Sequence, residues 1–97
     1  MDNTKGLYQF FADLGRMGEL EGVFIEEKGK VAKLIKSKAF LDFGEVLGKH
    51  SDIGFNIEEH HIELLSSDQD AIGILERLIG SDIAGYNPMD YWDAYDE

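Results

Sequence analysis

Apolar and polar positions change period several times along this chain, and each change predicts a new element. Leu7, Phe10, Phe11 and Leu14 recur at helical spacing, with Asn3 or Thr4 placed to cap the start and Gly15 or Gly18 to stop it. That pattern predicts a helix over about residues 4–16. From Leu20 to Ile35 the chain reads as a hairpin: Val23, Phe24 and Ile25 in one strand, Val31, Leu34 and Ile35 in the other. Glu27-Lys28-Gly29-Lys30 supplies the turn between them. Ser37 is then placed to cap a second helix, with Phe40, Phe43 and Leu47 on one face and Lys49-His50 at its end.

Phe55 and Ile57 alternate with polar neighbours, and so do Ile62 and Leu64, which predicts a second hairpin with its loop between Ile57 and Ile62. Ser67-Asp68-Gln69-Asp70 resembles a capping box and opens a third helix. Ile72, Leu75, Leu78 and Ile79 form its apolar side, and Gly80 suits the position just past its end. Finally, Asn87 caps a short helix with Pro88 at its first position and Asp90 in its first turn. Gly22–Glu27 resembles Gly54–Glu59, and Ser51-Asp52 resembles Ser81-Asp82, the pattern of a weakly duplicated ββα unit. The expected architecture is α+β, a single small domain over residues 1–97. It has an N-terminal helix, then two ββα units forming an antiparallel sheet of about four strands. A short acidic and aromatic C-terminal helix or tail over residues 84–97 closes it.

Charge sharpens this picture. The 97 residues hold 20 acids and 9 bases, a formal net charge of −11. Residues 1–50 hold eight of each, whereas residues 51–97 hold twelve acids and one base, Arg77. The whole excess therefore falls in the second half of the sequence. Such a run serves solubility on any surface, but its segregation also suits an electrostatic surface aimed at a basic partner. The Lys28, Lys30, Lys33, Lys36 ladder gives the chain a dipolar character. Net negative charge argues against direct contact with nucleic acid and against anionic membranes.

The chain has no cysteine, which excludes a disulfide scaffold, a zinc ribbon and a thiol nucleophile, and suits a reducing, cytoplasmic setting. The opening Met-Asp-Asn-Thr-Lys-Gly is not followed by the apolar run of a secretory signal, and no run is long enough to span a membrane. Glu58, Glu59, His60, His61 and Glu63 are a compact group of metal-type ligands. Neighbours on a strand would point His60 and His61 to opposite faces, however, and the spacing fits neither His-Glu-x-x-His nor an EF-hand loop. No Gly-x-Gly-x-x-Gly or P-loop is present, and the carboxylate pairs Glu26/Glu27 and Glu58/Glu59 have no neighbours that would split their pKa values. No metal, cofactor or catalytic residue is expected, and the chain does not read as an enzyme.

Two functions from different classes fit these features. The first is a small acidic inhibitor that occupies a basic nucleic-acid-binding surface of a partner protein or nuclease, in effect a nucleic-acid mimic. Duplex DNA carries one negative charge per ~1.7 Å, so eleven charges match roughly 20 Å of duplex. Viral anti-defence inhibitors of the anti-restriction or anti-CRISPR type, and toxin-neutralising immunity proteins, are often of this size and charge, an analogy of class that no motif narrows. The contact residues expected are Asp52, Glu58, Glu59, Glu63, Asp68, Asp70, Asp90, Asp93 and Asp96, with Tyr91, Trp92 and Tyr95 as aromatic anchors. The second is a non-catalytic adaptor that binds a protein partner or homodimerises. The inhibitor needs its acids to share a face, and the adaptor does not.

Overall fold

A computed structural model describes residues 4–44 and 53–92. They form six strands and two α-helices: β1 (Lys5–Asp13), β2 (Glu19–Glu27), α1 (Lys28–Ser37), β3 (Phe40–Gly44), β4 (Ile53–Asn56), β5 (Ile62–Ser66), α2 (Gln69–Leu78) and β6 (Asp82–Gly85). Single 3₁₀ turns at Gly15–Met17, Glu59–His61 and Pro88–Tyr91 complete the described chain. β5, β1, β2 and β6 make one antiparallel four-stranded sheet in that order, and β3 and β4 make a separate two-stranded ribbon.

This architecture corrects the expected helix followed by two ββα units. Residues 4–16 open not as a helix but as β1, paired with β2 from Lys5↔Glu27 to Asp13↔Glu19. Gly6, Tyr8, Phe10 and Ala12 point inward at a period of two, so strand alternation governs the segment. The expected second strand of the hairpin is α1, because Val31 and Leu34 lie one turn apart on the face that meets the core. The expected helix after Ser37 is β3, with Leu41 and Phe43 inward and Phe40 and Asp42 outward; Leu47 and Lys49-His50 lie outside the described residues. The second expected hairpin is also absent. β4 pairs with β3, β5 pairs with β1, and the 3₁₀ turn at Glu59–His61 carries the chain from ribbon to sheet. The proposed duplication fails for the same reason, since β2 is a central strand of the sheet and β4 belongs to the ribbon.

Two predicted helix starts hold, with small changes. Asp68, not Ser67, is the N-cap of α2: its carboxylate accepts from the Asp70 and Ala71 amides at 3.1 and 3.3 Å. Gly80 follows the helix at φ +110°. Asn87 accepts from the Met89 amide at 2.9 Å and caps the turn that begins at Pro88.

The sheet is covered unequally. On one face the inward residues of β1 and β2 (Tyr8, Phe10, Ala12, Leu20, Phe24) join Val31 and Leu34 of α1 and Leu41, Phe43, Ile53 and Ile57 of the ribbon in the main core. Phe10, Phe43 and Phe55 stack with centroids 5.5–6.3 Å apart. On the other face, α2 crosses from β5 at one edge to β6 at the other. It covers one end only. Lys5 binds Glu76 there at 2.7 Å, Gln69 donates to the Lys5 carbonyl at 2.8 Å, and Ile25 and Ile72 are buried apart from the main core. Beyond α2 that face is open. β6 can lie against β2 only because both facing residues are glycine. A Cβ at Gly22 would strike the Tyr86 carbonyl, and one at Gly85, where φ is +64°, would strike the Glu21 carbonyl.

Candidate functional site

The open end of the sheet is built by residues of odd number on β1 and β2 and by the outward residues of β5. Gln9, Phe11 and Asp13 face outward from β1, and Glu19, Glu21 and Val23 from β2. Register places Gln9 beside Val23 and Glu63, Phe11 beside Glu21, and Asp13 beside Glu19. Two shallow hollows flank Gln9. One is lined by Gln9, Glu21, Gly22, Val23, Ala84 and Gly85; the other by Gln9, Phe11, His60, His61 and Glu63. Phe11, 40% exposed, is the large apolar side chain at the centre of this surface.

The electrostatics of this face are predominantly negative, with Arg16 exposed in the turn between Asp13 and Glu19. Asp13, Glu19, Glu21 and Glu63 are all exposed. Among the described residues the two ion pairs, Lys5–Glu76 and Lys30–Glu26, lie elsewhere. Asp13 and Glu19 face each other directly across the ladder, a like-charge arrangement that disfavours folding by roughly 0.2–1 kcal/mol. Four of the eight bases of residues 1–50 are on the other side of the sheet, whereas Lys5 lies on the acidic residues' own face, bound to Glu76 under α2. Lys28, Lys30, Lys33 and Lys36 all ride on α1, whose apolar side packs into the main core.

His61 and His60 lie in the 3₁₀ turn, not on a strand, so they do not point apart as expected: both border the hollow, with ring centroids 4.1 Å apart. The His61 ring also lies 5.0 Å from Phe55, and its Nδ1 accepts from the Glu58 amide at 3.0 Å. Burial and the neighbouring His60 hold His61 below the ordinary imidazole pKa, against the pull of Glu58. Among the described residues no three of His, Asp and Glu gather as a set that would hold a metal ion.

The acids read from the sequence do not come to one place, so the shared face that the inhibitor requires is not formed by that set; the face described above is built from Glu63 and three acids outside it. Glu58, Glu59 and Glu63 sit together where the 3₁₀ turn enters β5. Asp68 and Asp70 sit at the N-terminus of α2, beyond the other end of β5. Asp90 belongs to the turn after β6, at the opposite edge of the sheet. Its carboxyl is pushed above the ordinary range by burial and by a hydrogen bond with Asp82, whose other contact is the Asn87 amide. Tyr91 lies against Phe43 with centroids 4.3 Å apart and stays 37% exposed, and Trp92 packs half-buried on the main core. Asp52, Asp93, Tyr95 and Asp96 lie outside the described residues. Sequence reading missed Asp13, Glu19, Glu21 and Phe11 as surface partners of Glu63. The alternation of Glu19 and Glu21 with Leu20 and Gly22 was the available signal.

In comparisons with known proteins, no family model, no curated protein and no solved structure matches the chain. Among the described residues no helix is long and apolar enough to cross a membrane.

Proposed function

We propose that the protein is a non-catalytic acidic binding protein that occupies a basic, nucleic-acid-binding surface of a partner such as a nuclease. One observation carries this reading: the uncovered end of the sheet presents Asp13, Glu19, Glu21 and Glu63 around Phe11, with no ion pair to any of them among the described residues. Glu19 and Glu21 lie roughly 6.7 Å apart along β2, and Glu63 faces them across two strand spacings, roughly 10 Å away. Two lines of negative charge at that separation fall between the widths of the duplex grooves, ~6 and ~12 Å. A basic channel shaped for two phosphate lines therefore meets charge of the right sign and scale, with Phe11 as the apolar contact between them. The rigid sheet presents the carboxylates without ordering a loop, which lowers the cost of binding. Glu58 and Glu59 extend the surface, and Asp68 and Asp70 lie outside it.

Affinity capture on the immobilised protein tests the proposal. The expected partner binds at ~50 mM salt, is released at ~500 mM salt, and is displaced by duplex DNA or RNA. The triple variant E19Q/E21Q/E63Q retains it at least about tenfold more weakly. Equal retention by the triple variant, or a captured partner that polynucleotide does not displace, would overturn the reading.

A further inference from the structure

We infer that the outer face of α2 is a self-association surface whose occupant is α2 of a second copy of this chain, packed antiparallel across a two-fold axis. The inference stands independently of the acidic-face proposal, since it uses none of that face's residues. α2 turns Ile72 and Glu76 toward the sheet. Away from the sheet it exposes Ala71, Ile74 and Leu78, spaced as one helical stripe; Ile74 is 47% and Leu78 76% exposed. Alongside the stripe run Asp70, Gly73 and Arg77, which with Gln69 and Ile74 line a shallow groove. Gly73 opens that groove, because the space where its Cβ would stand is empty, although glycine in mid-helix weakens the helix.

The pattern is self-complementary in one orientation. Asp70 and Arg77 stand two turns apart, about 10.5 Å, at equal heights on either side of the Gly73–Ile74 step. A second α2 laid antiparallel about that step sets Asp70 of each copy against Arg77 of the other. Ile74 of each copy then stands level with Gly73 of the other beside the two-fold axis, filling the groove that glycine opens, and Leu78 stands level with Gln69 of the other copy. A parallel pairing would instead set like charges against each other. Arg77 is the sole base of residues 51–97, and neither it nor Asp70 makes an ion pair among the described residues. An isologous contact of this kind satisfies both charges twice over and covers the stripe. One helix pair is a small interface, so the dimer is a rapidly exchanging one.

Sedimentation equilibrium from about 10 μM to 1 mM reads the association. The wild type is expected to dimerise within that range. D70R and R77D are each expected to weaken the dimer at least about tenfold, and the double variant D70R/R77D to recover most of the loss, because the pairs re-form with their signs exchanged. Circular dichroism on each variant confirms that α2 is retained. If a charge variant does not fold, Ile74→Cys decides the matter: the wild type has no cysteine, and this one is expected to form a disulfide-linked dimer faster than Lys36→Cys on α1. A wild type that stays monomeric throughout, a folded double variant no better than the single ones, or equal cross-linking at both cysteines would overturn the inference.

Discussion

At the scale of the residue, His61 has two contacts that require its neutral form. Its Nδ1 accepts from the Glu58 amide at 3.0 Å and its ring rests 5.0 Å from Phe55, so a proton there would remove the acceptor and charge a partly buried ring. The folded-state pKa is accordingly depressed below 6.5, first by burial and then by His60. As pH falls, the unfolded chain takes up this proton before the folded one does. Stability is therefore unaffected above the ordinary value and declines as pH drops from 6.5 toward the folded-state pKa. NMR titration is expected to place His61 below 6.5, with a fall in unfolding free energy as the solution is acidified through that window. A His61 titrating at or above the ordinary value would show that the Glu58 carboxylate, not burial, dominates. Lys5 and Glu76 shift in the complementary senses, the lysine up and the carboxyl down, because each hydrogen bonds to the other. Both remain about one-third exposed, so the pair contributes no more than about 1 kcal/mol.

At the scale of the element, the weakest tolerance lies where β6 meets β2. Gly22→Ala forces a methyl group into the Tyr86 carbonyl, and the backbone on either side has no room to yield without breaking the short β2–β6 ladder. The expected cost is about 1–3 kcal/mol, a fall in Tm of roughly 5–20 °C. Gly73→Ala, where a Cβ meets nothing, is expected to leave the monomer's Tm unchanged or raise it. Equal Tm for wild type and Gly22→Ala would show that β6 is not held as described. These same strands explain what the sequence concealed. β1 is apolar on both faces, Tyr8 and Phe10 toward the main core and Leu7 and Phe11 toward the other side, so picking Leu7, Phe10, Phe11 and Leu14 mixes two faces into a false helical stripe. In α1 the β-branched Val31 and Ile35 argue for a strand, yet their spacing with Leu34 is that of a helix, and packing against β2 decides it. Where a local hydrogen bond or a positive φ fixes an end, at Gly80 and Asn87, the residue was legible directly, and at the start of α2 the cap lay one residue on from the Ser67 of the capping pattern, at Asp68. Pairing partners were not, because β4 and β5 are neighbours in sequence and strangers in the sheet.

At the scale of the molecule, the charge that divides the sequence into halves divides the fold differently. Read along the chain, residues 1–50 are neutral, because eight acids meet eight bases. In space, much of that balance is broken by the sheet. Lys28, Lys30, Lys33 and Lys36 go with α1 to one side, while Asp13, Glu19 and Glu21 face out on the other and join Glu63 from the acidic half. Glu63 was legible as part of a charge run, but its three companions were hidden by the bases of the first half, four of which the fold carries away on α1. Carboxylates that outnumber the bases around them repel one another, as Asp13 and Glu19 do across the ladder, although Asp13 also accepts from the Gly15 amide at 2.9 Å and Arg16 stands in the turn between them. Two consequences distinguish this from a surface whose acids are held by their own structure. Raising salt from ~20 to ~500 mM is expected to raise the wild-type Tm, since screening relieves the repulsion. E19Q/E21Q/E63Q is expected to melt a few degrees higher than wild type at low salt, by about 0.5–1 kcal/mol, and to respond less to added salt. Thermal melts across the salt series measure both. A triple variant less stable than wild type would mean that these carboxylates hold the fold together, and a face that serves the fold is not free to serve a partner.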